Sequence, residues 1–398
     1  MDPTDHRVRD LLARPDVERA RSRIYGDDAR TVREQIELTE IPSPPFGEGP
    51  RGRRMAELMA ASGLKQVSID EVGNVLGCWG PADGAPLVLS AHLDTIFPAG
   101  TDVRVRRDGD RLVGPGISDD GRGLAALLAV ARALTSDGPP LARPLLFAAT
   151  VGEEGEGDLR GARHLFRDGS TARGAAGFVS LDGAGISRIV SGGLGSRRFR
   201  LTVKGPGGHS WVDWGMPNPI HALAHAVADF TDLALATDPR TTLSVGRWGG
   251  GTSVNSIPQD AWVELEVRSQ SLPELNRLDA RIRAGAERAL TQVNRGADGR
   301  GRAELTLSVI GDRPAGRTDA GQPLVGAAVA ATEAVGGIPE LAVSSTDANI
   351  PMSLGIPAIT LGAGGEAGHA HTSDEWYRNE GGPEGIVRAL LIVLLSAG

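Results

Sequence analysis

Cysteine is almost absent: the 398-residue chain holds one, Cys78. A single thiol closes no internal disulfide and builds no thiolate metal site, so any metal must be held by His, Asp and Glu. Long basic runs are missing too. The formal net charge is −8, and the densest arginine clusters, Arg51–Arg54 and Arg197–Arg200, are too short to track a phosphate backbone. No nucleic-acid partner is expected, and both clusters read as solvated surface. No run of about 18 uncharged apolar residues exists, so no membrane span is expected. The first residues, MDPTDHRVRD, are not followed by an apolar stretch. No signal peptide is therefore expected, and the expected compartment is cytoplasmic. Internal repeats and low-complexity segments are not evident.

What is present points to a two-domain globular protein. The length exceeds what most single cores accommodate. A hydrophobic share of 40% is ordinary for a folded protein, and 55 glycines imply many tight turns. The first 35 or so residues read as charged helix, with Leu11, Leu12 and Val17 as apolar contacts. Residues 55–61 read as a further helix. Four short apolar runs then read as buried strands: Leu87–Ala91, Leu145–Thr150, Gly177–Leu181 and Ala358–Leu361. A strongly apolar helix over Gly123–Leu134 lies between the first two. This alternation predicts an α/β domain with a mixed sheet flanked by helices.

A different pattern begins near Ser191. Alternating strands over 198–204, 243–248, 261–268 and 303–310 are interleaved with helices over 219–235 and 273–293. Strand-helix-strand-strand-helix-strand is the order of a ferredoxin-like α+β module. The expected division is a domain of residues 1–192 and 311–398 with an insert at 193–310.

Ligands of open α/β sheets bind beyond the carboxyl ends of the strands. Each buried run delivers ionisable residues there. The first leads to His92 and Asp94, the second to Glu153 and Glu154, and the third to Asp182. The fourth leads through a glycine-rich loop to His369 and His371, and Asp119-Asp120 precede the apolar helix. Massed carboxylates repel one another, and a multivalent cation removes that cost. Imidazole and carboxylate without thiolate suit Zn²⁺, with Co²⁺ or Mn²⁺ as substitutes. Two His and three carboxylates can hold two ions if one carboxylate bridges, which is machinery for amide or ester hydrolysis. At H-x-D spacing, Asp94 is placed to accept the second ring N–H of His92. Of the adjacent Glu153 and Glu154, one can ligate while the other serves as general base.

The segments SAHLDTIFP, GPGISDDGRG, ATVGEEGEGDLRGAR, SLDG, GPGGHSW and AHTSDEW resemble the successive motifs of one family. It is the dinuclear zinc exopeptidase and deacylase family of peptidase T, carboxypeptidase G, aminoacylase and acetylornithine deacetylase. The resemblance implies a zinc-peptidase-like catalytic domain carrying an inserted lid and dimerisation domain. It implies two Zn²⁺ per subunit, His92 and Asp182 on one, Glu154 and His371 on the other, and Asp119 bridging. Glu153 becomes the catalytic base, with Asp94 beside it. His209 becomes the lid histidine that reaches a partner subunit's site, and Asn255 and Arg268 become substrate anchors. The implied substrates are short peptides, with N-acyl amino acids as the rival class; the implied assembly is a homodimer through the lid. One departure is visible: Gly121-Arg122-Gly123 follows the paired aspartates where many members carry Lys.

Blander readings stand beside these. Asp119 and Asp120 could simply cap the following helix. His369 is a near twin of His371 and reads as loop surface. His221 and His225 have a metal-capable spacing but lack the H-E-x-x-H glutamate. Asp347 lies in a loop and is a second-tier site candidate. A catalytically inactive binding protein on the same fold is the alternative from another class.

Overall fold

The computed structural model describes residues 3–136, 138–297 and 299–398. The chain divides into two compact units, Met1–Gly193 with Arg317–Gly398, and Leu194–Gly316. The insert therefore ends six residues later than the expected 310. The reason is that its last strand, Glu304–Arg313, runs on past a register shift between Val309 and Gly311. Ala315 also belongs to the inserted unit's core.

The first unit is built on a nine-stranded mixed sheet. Its centre runs in the order Leu145–Thr150, Leu87–His92, Gly177–Leu181 and Ala358–Leu361, all parallel. These strands are buried on both faces, which is why they read as near-continuous apolar runs. On one face lies the helix Gly121–Thr135, in which every residue from Gly121 to Leu134 is buried. The C-terminal helix Gly382–Ala397 is almost as apolar and packs into the same core. The helices Pro3–Leu12, Pro15–Gly26 and Asp28–Thr39 complete that layer, burying Leu11, Val17 and Leu38. Cys78 sits half-buried in the strand Val75–Trp79, and burial pushes its thiol pKa up.

Arg51 is a correction to the surface reading. It is fully buried in the helix Gly49–Ala61. Its guanidinium donates to the carbonyls of Thr39, Ile41 and Leu93. A buried cation is tolerable where backbone oxygens satisfy its donors. Among the described residues, no helix is long and apolar enough to cross a membrane.

The second unit is a four-stranded antiparallel sheet in the order Thr241–Gly250, Asp260–Ser269, Gly195–Lys204 and Glu304–Arg313. Two helices, Pro219–Thr231 and Leu272–Arg295, cover one face, where Phe199, Leu201, Val203, Leu275 and Ile282 form the core. The asparagine and serine caps, Asn218 and Ser271, hold the first-turn N–H groups, and a proline follows in each first turn. This is the ferredoxin-like arrangement. The other face carries an arginine–glutamate lattice. Glu264 pairs with Arg200 and Arg247, and Glu266 pairs with Arg198 and Arg268.

Candidate metal centre

Parallel pairing places the chemical residues at one sheet edge. His92 lies opposite Thr150, and Leu361 lies opposite Leu181. The chain ends of these strands therefore emerge together, carrying His92, the Glu153-Glu154 turn, Asp182 and the loop to His371.

Two buried carboxylates organise the edge. Asp120 follows Asp119 across a cis peptide bond. Its Oδ2 accepts the His92 backbone N–H at 2.9 Å, and its Oδ1 accepts Gly123 N–H at 3.0 Å. It thus caps the helix Gly121–Thr135 and ties it to the strand bearing His92. Gly123 is required here, because a Cβ would lie 2.2 Å from Asp120 Oδ1. Asp94, fully buried, accepts the backbone N–H groups of Glu153 and Glu154 at 2.9 and 2.8 Å. This corrects the expected role of its carboxylate. The His92 ring Nδ1 lies 3.0 Å from the Asp94 backbone carbonyl but 3.7 Å from the carboxylate. A carbonyl only accepts, so His92 keeps a proton on Nδ1, and Nε2 is the ring atom left to meet a metal.

Nε2 of His92 faces Asp119 Oδ1 at 2.9 Å. Nε2 of His371 faces Asp119 Oδ2 at 3.0 Å and Glu154 Oε1 at 2.9 Å. Asp119 therefore offers a different oxygen to each histidine. Ligand atoms of His92, Asp119 and Glu154 all lie within 4.8 Å of one another. Two atoms bound to one tetrahedral Zn²⁺ are separated by roughly 3.3 Å. The contacts of 2.9 to 3.0 Å between each histidine and its carboxylate oxygens lie within a few tenths of an ångström of that separation. His369 makes no such contact with Asp119 or Glu154; its carbonyl closes the turn by accepting the Thr372 N–H and hydroxyl.

The electrostatics bear the mark of crowded acids. Burial pushes the Asp182 carboxyl up to about 7, aided by the Asp119 charge. Burial likewise holds Asp94 at about 6. The His371 imidazole is raised to about 10 by its hydrogen bonds to Asp119 and Glu154. Burial works against the Asp119 charge, yet the two histidines hold its carboxyl below the usual range. Both imidazoles thus bind their protons tightly where a metal would compete for the same oxygens. Glu153 is buried at 5% exposure in the turn beside this cluster.

Sequence reasoning missed the role of Glu375. It is fully buried, and its carboxylate accepts from Gly116 N, Ser118 N, Ser118 Oγ and Asp119 N at 3.0, 2.8, 2.7 and 2.9 Å. Its signal was the glutamate inside AHTSDEW, a motif that drew attention only to its histidine. Asp347, the second-tier candidate, is buried and accepts the Thr150 hydroxyl at 2.6 Å.

The remaining candidates lie in the second unit. The backbone N–H groups of Trp211 and Val212 approach His209 Nδ1 at 3.2 and 3.4 Å, so the ring proton resides on Nε2. The residue after His209, Ser210, donates its N–H to the Asn255 carbonyl at 3.1 Å, which brings those two together. Arg268 is engaged with Glu266 through two hydrogen bonds of 2.6 and 3.0 Å.

Fold and site together define a class: a metallopeptidase or amidohydrolase with a catalytic unit and an inserted α+β unit. The profile described as "Peptidase family M20/M25/M40" matches residues 88–394, and the chain belongs to that family. It is 29% identical over 299 residues to the uncharacterised protein YqjE of Bacillus subtilis, covering 73% of this chain and 75% of that one. It is 30% identical over 257 residues to succinyl-diaminopimelate desuccinylase of Stenotrophomonas maltophilia, covering 58% and 68%. Among solved structures, aminopeptidase PepT from Bacillus cereus superposes with a TM-score of 0.75 at 24% identity, covering 92% of this chain and 98% of that one.

Proposed function

We propose that this chain is a dinuclear metal hydrolase that cuts an amide bond in short peptides, with Glu153 as general base. The observation carrying this reading is Asp119, whose two oxygens face two different histidines. His92 and Asp182 would hold one ion, Glu154 and His371 the other, with Asp119 shared. Zn²⁺ suits the donors, and Co²⁺ or Mn²⁺ would substitute. When bound, such a pair polarises the substrate carbonyl and acidifies the attacking water.

The residues of the chain do the rest. Glu153 takes a proton from the attacking water and returns it to the departing nitrogen. Asp94 fixes the backbone on which Glu153 and Glu154 diverge, so that one is spent on metal and the other is not. His209, with its proton on Nε2, is a donor suited to the tetrahedral oxyanion of a partner subunit in a homodimer. Asn255 supports the same loop. Arg268 would anchor a substrate carboxylate, exchanging part of its pairing with Glu266.

A second reading, N-acyl amino acid deacylation, is supported by the desuccinylase relatives. Turnover of di- and tripeptides measured beside N-acetyl and N-succinyl amino acids separates the two. Activity confined to the acylated substrates would overturn the peptide assignment.

A further inference from the structure

The geometry points to Glu375 as a positioning residue that holds the His371 half of the metal centre together. This inference rests on the dinuclear reading above. His371 stands on an exposed loop, with its backbone at φ 67° and its side chain half exposed. Its ring is fixed by Asp119 and Glu154 alone among the contacts described above. Something must hold the loop itself. Glu375 closes its base: its N–H bonds to the Thr372 carbonyl, and its carbonyl accepts Gly114 N–H at 2.9 Å. The adjoining strand Trp376–Arg378 pairs with Arg111–Val113. The Glu375 carboxylate then reaches across to the segment 116–119 and takes all four donors named above. One residue thereby fastens the His371 loop to the loop carrying Asp119.

The donors are unequally divided. Oε1 accepts Ser118 N, Ser118 Oγ and Asp119 N, whereas Oε2 accepts only Gly116 N. A glutamine can keep the first three but turns an NH₂ against the Gly116 N–H. Glu375→Gln is thus a nearly isosteric way to break the clasp. The His92 half has its own anchor, Asp120, bonded to the His92 backbone. The two halves should therefore respond differently, as outer hydrogen bonds typically tune metal affinity by roughly 10–100-fold.

The test uses metal-free full-length protein, Glu375→Gln and Ser118→Ala, with Co²⁺ as probe. Hydrogen exchange without metal reads the clasp directly. Glu375→Gln should speed exchange in 114–119 and 369–375 and leave 87–94 unchanged. Titration with Co²⁺, followed by visible absorption, should then show one ion bound within about threefold of the unsubstituted protein and the other weakened roughly 10–100-fold. Ser118→Ala, which removes one of the four bonds, should weaken the same ion less. The inference is overturned if Glu375→Gln binds both ions normally, weakens both equally, or leaves exchange in 369–375 unaltered. If Glu375→Gln does not fold, Ser118→Ala decides, and normal binding of the second ion by that variant overturns the inference. If the unsubstituted protein takes up only one ion while exchange responds as expected, the dinuclear reading fails and the clasp stands.

Discussion

At the residue scale, adjacent identical side chains meet different surroundings. Glu153 and Glu154 share the Asp94 clamp, yet Glu154 meets His371. Glu153→Gln should retain its full metal content by atomic absorption and lose turnover by roughly 10²–10⁴-fold. Metal loss alongside activity loss would instead make Glu153 a ligand. Arg51 shows the opposite case, a charge with a purely architectural role. Its guanidinium serves three backbone carbonyls inside the fold. Arg51→Met strands those acceptors, and chemical denaturation should show a loss of about 2–4 kcal/mol. The misreading of Arg51 has a physical cause. Residues 51–54 lie on a helix, so successive side chains point about 100° apart. Composition sees a cluster where the fold sees one inward and two outward arginines.

At the element scale, legibility followed burial. The strands Leu145–Thr150, Gly177–Leu181 and Ala358–Leu361 stand at the residues where the apolar runs begin and end. A strand buried on both faces writes itself as a continuous run with polar punctuation. The alternating strands of the second unit were legible for the complementary reason, one face being buried and the other charged. The small sheet of Arg106–Asp108, Arg111–Val113, Glu366–Gly368 and Trp376–Arg378 was not legible. Three residues carry no period, and one of its three pairings joins segments more than 250 residues apart. That is the sheet on which Glu375 rides, so its role was hidden with it. The Asp94 carboxylate was misassigned because H-x-D spacing does not distinguish a side-chain acceptor from a backbone one. The helix Gly121–Thr135 depends on its first turn: Gly123→Ala pushes a methyl onto the capping Asp120 carboxylate. Thermal unfolding should show a loss of about 1–3 kcal/mol. An unchanged midpoint would mean that the cap adjusts without cost.

At the scale of the whole molecule, the proton and the metal compete. His371 holds its proton up to about pH 10, and a ligand must surrender it. Metal affinity should therefore rise about tenfold per pH unit for each proton displaced, from neutral pH toward 10. Calorimetry in buffers of different ionisation enthalpy counts those protons; an affinity flat across the range would remove His371 from the ligand set. The proposed trans role of His209 has its own test. Glu153→Gln and His209→Ala chains, each inactive alone, should recover up to about a quarter of full activity when allowed to exchange subunits. Failure to recover any would place His209 in the same chain's site or outside catalysis.

The half-buried Cys78 thiol has a practical consequence. It is the chain's one sulfhydryl, and its burial keeps it in the unreactive protonated form at neutral pH. Val254, next to Asn255, is fully solvent-exposed. A cysteine placed there would outcompete the native thiol for maleimide, giving a fluorophore or spin probe on the second unit without first removing Cys78. The surroundings of the loop carrying His209 and Asn255 then become open to spectroscopy on an otherwise unaltered enzyme.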